Sequence, residues 1–192
     1  MKVKFRRTTA EDLDNIYDMH TKCFHTNDMW YKSAIKNYLS TGIVIELTDS
    51  KEIIGVLLQG EITPCNIKMT QCEDTNDMNY MGDVFEPLTN NGKILLSNKT
   101  HYQPIMGIVM ICVHPKYRNK GLAQKLIEKH FVDNKDMVVC LNTRRSNISA
   151  YTLYKKMGYE HVAYIKNKYF LPNEDAIFMI NDLTDFTDKN IV

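Results

Sequence analysis

Residues 111–123 read ICVHPKYRNKGLA, and this stretch says most about the architecture of the chain. The near-continuous apolar run from Ile105 to Val113 predicts a strand that is buried on both faces. A short basic loop follows, and the residues from about Gly121 to His130 have the apolar spacing of an amphipathic helix. A strand, a loop and a helix in this order predict an anion site, because the first backbone amides of a helix have no partner within it.

The loop carries residue types that suit a phosphate. Gly121 removes the side chain where the backbone must approach a phosphate closely, and Ala123 keeps the next contact small. Arg118 and Lys120 add positive charge. The pattern Arg-x-x-Gly-x-Ala is weak on its own, since an ordinary basic turn with a glycine also fits it. Its context strengthens it, because residues 146–159 read SNISAYTLYKKMGY and predict a second helix that ends at a glycine.

Strands and helices alternate along most of the chain. We expect strands at residues 3–7, 43–47, 53–59, 105–113, 137–141, 161–166 and 176–180. We expect helices after a capping box at Thr8–Glu11, at residues 31–39, from about 121 to 130 and at 147–157. Residues 62–104 are polar and predict a long insertion. The pattern predicts one α/β domain over residues 1–183 and a C-terminal tail at 184–192.

Composition and charge exclude several classes of protein. Lys plus Arg is 24 and Asp plus Glu is 23, so no overall field attracts nucleic acid or an anionic membrane. No apolar run is long enough to span a bilayer, and the basic start is not followed by an apolar segment. The five cysteines are scattered without zinc-like spacing, which indicates reduced thiols and no metal site. We therefore expect a soluble, cytoplasmic protein with no nucleic-acid or membrane partner.

Two segments resemble the motifs of a known family. Residues 113–123 resemble motif A of the GNAT superfamily of N-acetyltransferases, and residues 146–159 resemble its motif B. The N-terminal half of the chain matches in element order only. The resemblance implies the GNAT fold, an α/β architecture with a mixed, mostly antiparallel sheet, splayed fourth and fifth strands and flanking helices. It also implies acetyl-CoA as the co-substrate.

The resemblance implies roles for individual residues. Ile111, Cys112 and Val113 pair with the pantetheine arm through their backbone, and Asn147 contacts the same arm. Tyr154 matches the family tyrosine near the thioester sulfur, where a phenol can protonate the leaving thiolate. An inward-facing core aromatic is the alternative for Tyr154. Backbone amides hold the pyrophosphate, and the residues implied there are Arg118, Asn119, Lys120, Gly121, Leu122, Ala123 and Gln124.

The group that takes a proton from the amine is not evident in the sequence. Relatives place a base near the position of Gly107, which has no side chain here. Asn142 occupies a second such position, and an amide can orient a water but cannot hold a proton. His114 is a candidate, although His-Pro before the basic loop indicates a structural role. Glu46 and Glu61, at the ends of predicted strands, are further candidates.

The C-terminal residues bear on the acceptor. Residues 165–179 read IKNKYFLPNEDAIFM and resemble the last hairpin of protein N-terminal acetyltransferases, including the bacterial ribosomal-protein type. In those relatives an aromatic pair closes over the first residues of a peptide, which implies this role for Tyr169 and Phe170. Phe24 and Tyr31 lie where the family has its other peptide-binding loop. The family's Pro-containing turn does not follow Phe24, so a preferred peptide sequence is not predicted.

The sequence therefore predicts an acetyl-CoA-dependent N-acetyltransferase that acts on protein or peptide N-termini. Three alternatives stay open: a small-molecule amine acetyltransferase, a lysine acetyltransferase, and a GNAT domain that binds acetyl-CoA without turnover. Tyr169 and Phe170 can also be strand-end aromatics that pack on the sheet. The oligomeric state is not predicted.

Overall fold

The computed structural model describes residues 1–24, 28–62, 67–69, 83–87, 105–170 and 172–183. Residues 67–69, 83–87 and 170 are described by their backbone only. These residues form two compact units. The first holds Met1–Gly60 and Ile108–Asp133, and the second holds the described parts of Glu61–Gly107 and Asn134–Thr187. The single domain expected over residues 1–183 stays a prediction, and the tail at 184–192 lies outside the described residues.

Strands and helices alternate as expected for an α/β protein. The strands are β1 (Val3–Arg7), β2 (Ile43–Leu47), β3 (Ile53–Ile62), β4 (Ile67–Met69), β5 (Asp83–Pro87), β6 (Ile105–Val113), β7 (Val138–Arg144), β8 (Glu160–Phe170) and β9 (Asn173–Asp182). The helices are α1 (Leu13–Cys23), α2 (Lys32–Lys36), α3 (Leu122–Asp133) and α4 (Ile148–Lys156). Short 3₁₀ turns lie at Ala10–Asp12, Leu39–Thr41 and Pro115–Tyr117. In the described part of the chain, no helix combines the length and apolar character that crossing a membrane requires.

The first unit has its strands in the order β1-β2-β3-β6. β2 is antiparallel to both β1 and β3, and the His114 amide donates to the carbonyl of Ile54 over 2.9 Å where β6 ends. The helices α1 and α2 cover this sheet because their apolar residues recur every three or four positions. The buried core consists of Ile16, Met19, Ile35, Leu39, Val44, Ile53, Val56, Leu58, Met110 and Cys112.

The capping box ahead of α1 lies one residue later than predicted. The reciprocal pair is Thr9 with Asp12, not Thr8 with Glu11, and the Asp12 carboxylate accepts from the Thr9 amide over 2.7 Å. Arg6 explains the choice, because its guanidinium donates to both oxygens of Asp12, over 2.7 and 2.8 Å. This bidentate bond is the main cause that lowers the pKa of Asp12.

The helix predicted over residues 31–39 is shorter in the structure. α2 ends at Lys36, and a 3₁₀ turn takes its place at Leu39–Thr41. The amides of Asn37 and Tyr38 donate to the carbonyls three residues back, those of Ala34 and Ile35, over 3.3 and 3.0 Å, so the α-helical bonding pattern ends there. The chain then turns directly into β2.

The second unit has its strands in the order β7-β9-β8-β5-β4. β9 is antiparallel to β7 and β8, β5 is antiparallel to β8, and only β4 and β5 among these described pairs are parallel. The mixed, mostly antiparallel sheet is therefore confirmed, while the splay of the fourth and fifth strands stays a prediction. The buried core consists of Ile105, Val138, Cys140, Val162, Ala163, Ile165, Ala176, Phe178 and Ile180.

Candidate active site

The basic loop of the first unit has the shape expected of a phosphate cradle. Asn119 and Gly121 both have left-handed backbone, with φ of 58° and 71°, and α3 begins at the next residue, Leu122. A Cβ built on Gly121 would have no atom of the described residues within 4 Å. The glycine therefore leaves open space beside the first amides of α3, which have no acceptor within the helix. This open backbone fits the pyrophosphate group of acetyl-CoA.

His114 shapes the turn that precedes the loop. Its Nδ1 accepts a hydrogen bond from the Lys116 amide over 3.2 Å, and its carbonyl accepts from the Tyr117 amide over 2.8 Å. The ring of Tyr117 is buried, and the ammonium groups of Lys116 and Lys120 lie 5.4 and 5.7 Å from its centre. His114 thus has the structural role that its sequence context indicates, and the turn concentrates positive charge beside the loop.

Arg118 folds back onto the end of β6. Its Nε donates to the carbonyl of Val113 over 3.1 Å, and the thiol of Cys23 donates to the same carbonyl over 3.5 Å. The hydrogen bond with Cys112, together with Arg118, lowers the pKa of Cys23, while the Cys23 thiol and burial raise the pKa of Cys112. The Val113 carbonyl thus already accepts from two donors, and the pairing of Ile111, Cys112 and Val113 with a pantetheine arm stays a prediction.

The remaining loop residues contribute in different ways. Leu122 is buried, so only its backbone faces the loop, and the side-chain NH₂ group of Gln124 donates to the Glu128 carboxylate over 2.9 Å. Arg118, Asn119 and Lys120 are exposed. The structure brings all seven residues predicted for the pyrophosphate into one turn and the start of one helix. Their contact with a phosphate stays a prediction.

In the second unit, α4 carries two of the predicted residues. Asn147 caps the helix, since its Oδ1 accepts from the amide of Ala150 over 3.2 Å, which leaves its NH₂ group for a pantetheine contact. Tyr154 is only 6% exposed and meets the ring of Tyr159 edge to face, with 5.9 Å between centroids. Burial, and secondarily the charge of Tyr169, raise the pKa of Tyr154. Its phenol therefore stays protonated at neutral pH, as a proton donor must.

Two candidate residues of the second unit contact each other. The Tyr169 hydroxyl donates to Oδ1 of Asn142 over 3.3 Å. The guanidinium carbon of Arg144 lies 4.1 Å from the centre of the Tyr169 ring, a cation–π stack. Phe170 pairs with Asn173 across the hairpin, and its side chain lies outside the described residues.

The structure narrows the search for a base. A Cβ at Gly107 would overlap the end of the Ile62 side chain, so a larger residue there requires that side chain to move. The Glu46 carboxylate accepts from Arg6 over 2.8 Å, and this hydrogen bond is the main cause that lowers its pKa. Glu46 is therefore an ion-pair partner and not a base. Glu61 is exposed near the end of β3, and the base stays unassigned.

The proposed acceptor residues of the first unit differ in exposure. Phe24 ends α1 and packs on His20, with 4.8 Å between ring centroids, against the buried core. Tyr31 begins α2 and is 82% exposed. Residues 25–27 lie outside the described residues. Packing accounts for Phe24 on its own, and the substrate roles of Phe24 and Tyr31 stay predictions.

Sequence reasoning missed Arg144 and Glu174. Arg144 donates to Glu174 over 3.2 Å and stacks on Tyr169. Arg144 lies two residues after Asn142 on β7, so both side chains point to the same face, but the strand predicted at residues 137–141 ends before them. The described residues contain no group of His, Cys, Asp or Glu that could hold a metal ion.

A family comparison covers the informative segments. Residues 88–161 match the model of the acetyltransferase (GNAT) domain, which spans the basic loop, α4 and Tyr154. This match confirms the resemblance found in both motifs.

Solved structures with the same fold cover nearly the whole chain. The ribosomal-protein-alanine N-acetyltransferase of Escherichia coli is 14% identical with a TM-score of 0.66, over 95% of this chain and 94% of that one. NAA60 of Arabidopsis thaliana in complex with acetyl-CoA is 14% identical with a TM-score of 0.68, over 94% and 99%. The loading GNATL domain of CurA from Lyngbya majuscula is 14% identical with a TM-score of 0.68, over 96% and 100%. At these identities the similarity shows the fold and not the acceptor.

Proposed function

We propose that this chain, which carries a GNAT acetyltransferase domain, transfers the acetyl group of acetyl-CoA to the alpha-amine of a protein N-terminus. One observation carries the proposal: the phenol of Tyr169, near the end of the β8–β9 hairpin, is held against the amide of Asn142. A peptide N-terminus has a backbone amide immediately beyond the reacting carbon. A site for it needs hydrogen-bonding groups close to the amine, and this pair supplies a phenol and an amide together.

The first unit binds the co-substrate in this proposal. The open backbone at Gly121 and the first amides of α3 receive the pyrophosphate, and Arg118 and Lys120 add positive charge. Acetyl-CoA supplies a thioester whose carbonyl the amine attacks and whose thiolate then leaves. The NAA60 structure with acetyl-CoA supports this choice of co-substrate for the fold.

Tyr154 is the proton donor to the departing thiolate. Its burial keeps the phenol protonated at neutral pH, so the proton is present when the C–S bond breaks. The amine enters in its neutral form, and the proton that its nitrogen loses after the attack passes to solvent water, from which the phenol of Tyr154 is restored. Asn142 orients the acceptor or a water but does not take its proton, because an amide does not ionise at neutral pH.

The acceptor class rests on the hairpin and not on the fold. The E. coli enzyme of the same fold acetylates a ribosomal-protein alanine, which supports a protein acceptor. The CurA loading domain has an equally similar fold, so the backbone alone does not select the acceptor. Reduced thiols at Cys23, Cys112 and Cys140 support an intracellular location for the proposal.

The test is an acceptor comparison with purified protein and acetyl-CoA, monitored by release of free thiol. The acceptors are one peptide with a free N-terminus and an internal lysine, the same peptide blocked at its N-terminus, spermidine and an aminoglycoside. We expect the free peptide to be acetylated fastest. Faster acetylation of the blocked peptide or of a small amine contradicts the N-terminal proposal. Acetyl-CoA binding without turnover on any acceptor favours a binding domain, which the unassigned base would explain.

A further inference from the structure

Arg144 and Glu174 form an enclosed ion pair beside Tyr169. Arg144 lies at the end of β7 and Glu174 near the start of β9, with 3.2 Å between Nη1 and Oε2. Their side chains are only 15% and 14% exposed. Arg144 also donates to the carbonyl of Pro172 over 3.3 Å. Several bonds in one place fix the guanidinium plane far better than an isolated surface pair can.

The fixed guanidinium lies over the face of Tyr169. Its carbon is 4.1 Å from the ring centre, while the hydroxyl at the other end of the ring reaches Asn142 over 3.3 Å. The ring is thus held at its face and at its tip. A planar guanidinium can stack on a ring while it pairs with a carboxylate, which a lysine ammonium does less well.

Glu174 extends the arrangement to the segment before α4. Its carboxylate accepts from both the amide and the hydroxyl of Ser146, the residue before the cap Asn147. Burial alone would raise the pKa of Glu174, but the hydrogen bonds from Ser146 and Arg144 lower it. The carboxylate therefore stays ionised and offsets the positive charge of Arg144.

We infer that Arg144, anchored by Glu174, is a positioning residue that sets the acceptor KM by holding the phenol of Tyr169 in place. The inference rests on the proposed function, in which Tyr169 binds the acceptor. Arg144 acts through Tyr169 and does not touch the reacting atoms. Glu174 supports it by fixing the guanidinium and balancing its charge.

A double-mutant cycle between Arg144 and Tyr169 tests the inference. The variants are Arg144→Met, Tyr169→Ala and the double variant, each assayed for acceptor KM, kcat and acetyl-CoA affinity. We expect Arg144→Met to raise the acceptor KM about three- to tenfold, with kcat and acetyl-CoA affinity within about twofold of wild type. In the Tyr169→Ala background the same change should alter KM by less than about twofold, because the ring it holds is gone.

Two further variants separate positioning from general stability. Arg145→Met is the matched control, since Arg145 is exposed and lies over a different ring, Tyr164, at 5.3 Å. We expect it to leave KM unchanged. Arg144→Lys retains the charge without the planar stack and should raise KM nearly as much as Arg144→Met. If Arg144→Met does not fold, the cycle is run with Arg144→Lys.

The acceptor used in these assays is the compound that the wild type acetylates fastest. A wild type that prefers a small amine contradicts the N-terminal proposal, and the cycle is still measured with that amine. An effect on its KM that disappears in the Tyr169→Ala background supports the inference. An unchanged KM in the Arg144 variant overturns it, as does an increase that persists in that background. A wild type without turnover overturns both.

Discussion

The hydroxyl of Tyr169 on β8 donates a hydrogen bond to Oδ1 of Asn142 on β7, two strands that β9 separates in the sheet order. Oδ1 accepts this bond, so the NH₂ group of Asn142 is left to donate elsewhere. The pair therefore places an amide and a phenol side by side, two kinds of group that hydrogen-bond the backbone of a peptide N-terminus.

Tyr169→Phe removes only the hydroxyl from this arrangement. If the phenol binds the acceptor, the variant loses one hydrogen bond worth about 0.5–1.5 kcal/mol, and the peptide KM rises about two- to tenfold. The affinity for acetyl-CoA should stay the same, as calorimetry can check. Asn142→Ala should raise KM similarly, and the double variant little further, because each residue acts with the other. Additive effects would contradict a joint role.

Tyr154→Phe tests the proton donor. The variant keeps the ring contact with Tyr159 and removes the phenol, so turnover should fall about a hundredfold under conditions where chemistry limits the rate. Acetyl-CoA affinity should change little. Tyr159→Phe is the control, since it removes a hydroxyl from the same buried cluster and should leave turnover unchanged. Wild-type turnover in Tyr154→Phe would identify Tyr154 as a core aromatic.

The sequence predicts the parts of this protein that depend on neighbouring residues. The segment from β6 through the basic loop to α3 was predicted because an apolar run, a left-handed glycine and helical spacing are all local signals. The capping box was misplaced because Thr8 and Thr9 both suit the start of a helix. Arg6 decides between them by binding Asp12, and residue spacing alone does not predict that contact.

The contacts around Tyr169 could not be predicted in the same way. Asn142 and Arg144 lie beyond the strand predicted at residues 137–141, and their contacts depend on the pairing of β7 with β9 and of β9 with β8. The bulges in the β8–β9 register decide which β8 side chain reaches Asn142. The boundary of α2 was missed because apolar spacing does not distinguish an α-helix from the bonds to the third preceding residue that Tyr38 and Thr41 make.

Gly121→Ala tests the phosphate cradle. The added Cβ meets no described protein atom, so loss of acetyl-CoA affinity would point to the ligand. We expect affinity to fall on the order of tenfold, which corresponds to about 1.4 kcal/mol. Gly158→Ala is a matched control, because φ there is also positive, at 87°, and its Cβ would lie 3.1 Å from Asn181. Both variants should melt earlier, and equal acetyl-CoA affinities by calorimetry would contradict the assignment.

Burial of His130 makes the stability of the first unit depend on pH. Its side chain is fully buried in α3, where Nδ1 contacts Oε1 of Gln59. An amide oxygen accepts, so the ring donates from Nδ1. Burial lowers the pKa of His130 to about 3, whereas an unfolded histidine has a pKa of about 6.5. Between about pH 6.5 and pH 3, the unfolded chain therefore binds a proton on His130 that the folded protein excludes.

The stabilising contribution of neutral His130 is therefore complete above about pH 6.5 and is lost as the pH falls toward 3. The slope approaches about 1.4 kcal/mol per pH unit, so about 2 kcal/mol is lost between pH 7 and pH 5. His130→Gln keeps a polar partner for Gln59 and has no proton to gain. Urea unfolding at both pH values should show a loss about 2 kcal/mol smaller in the variant. Burial also lowers the pKa of His20 and His161, but both remain in each protein and cancel in the comparison. An equal loss of unfolding free energy in the two proteins would show that protonation of His130 does not destabilise the fold.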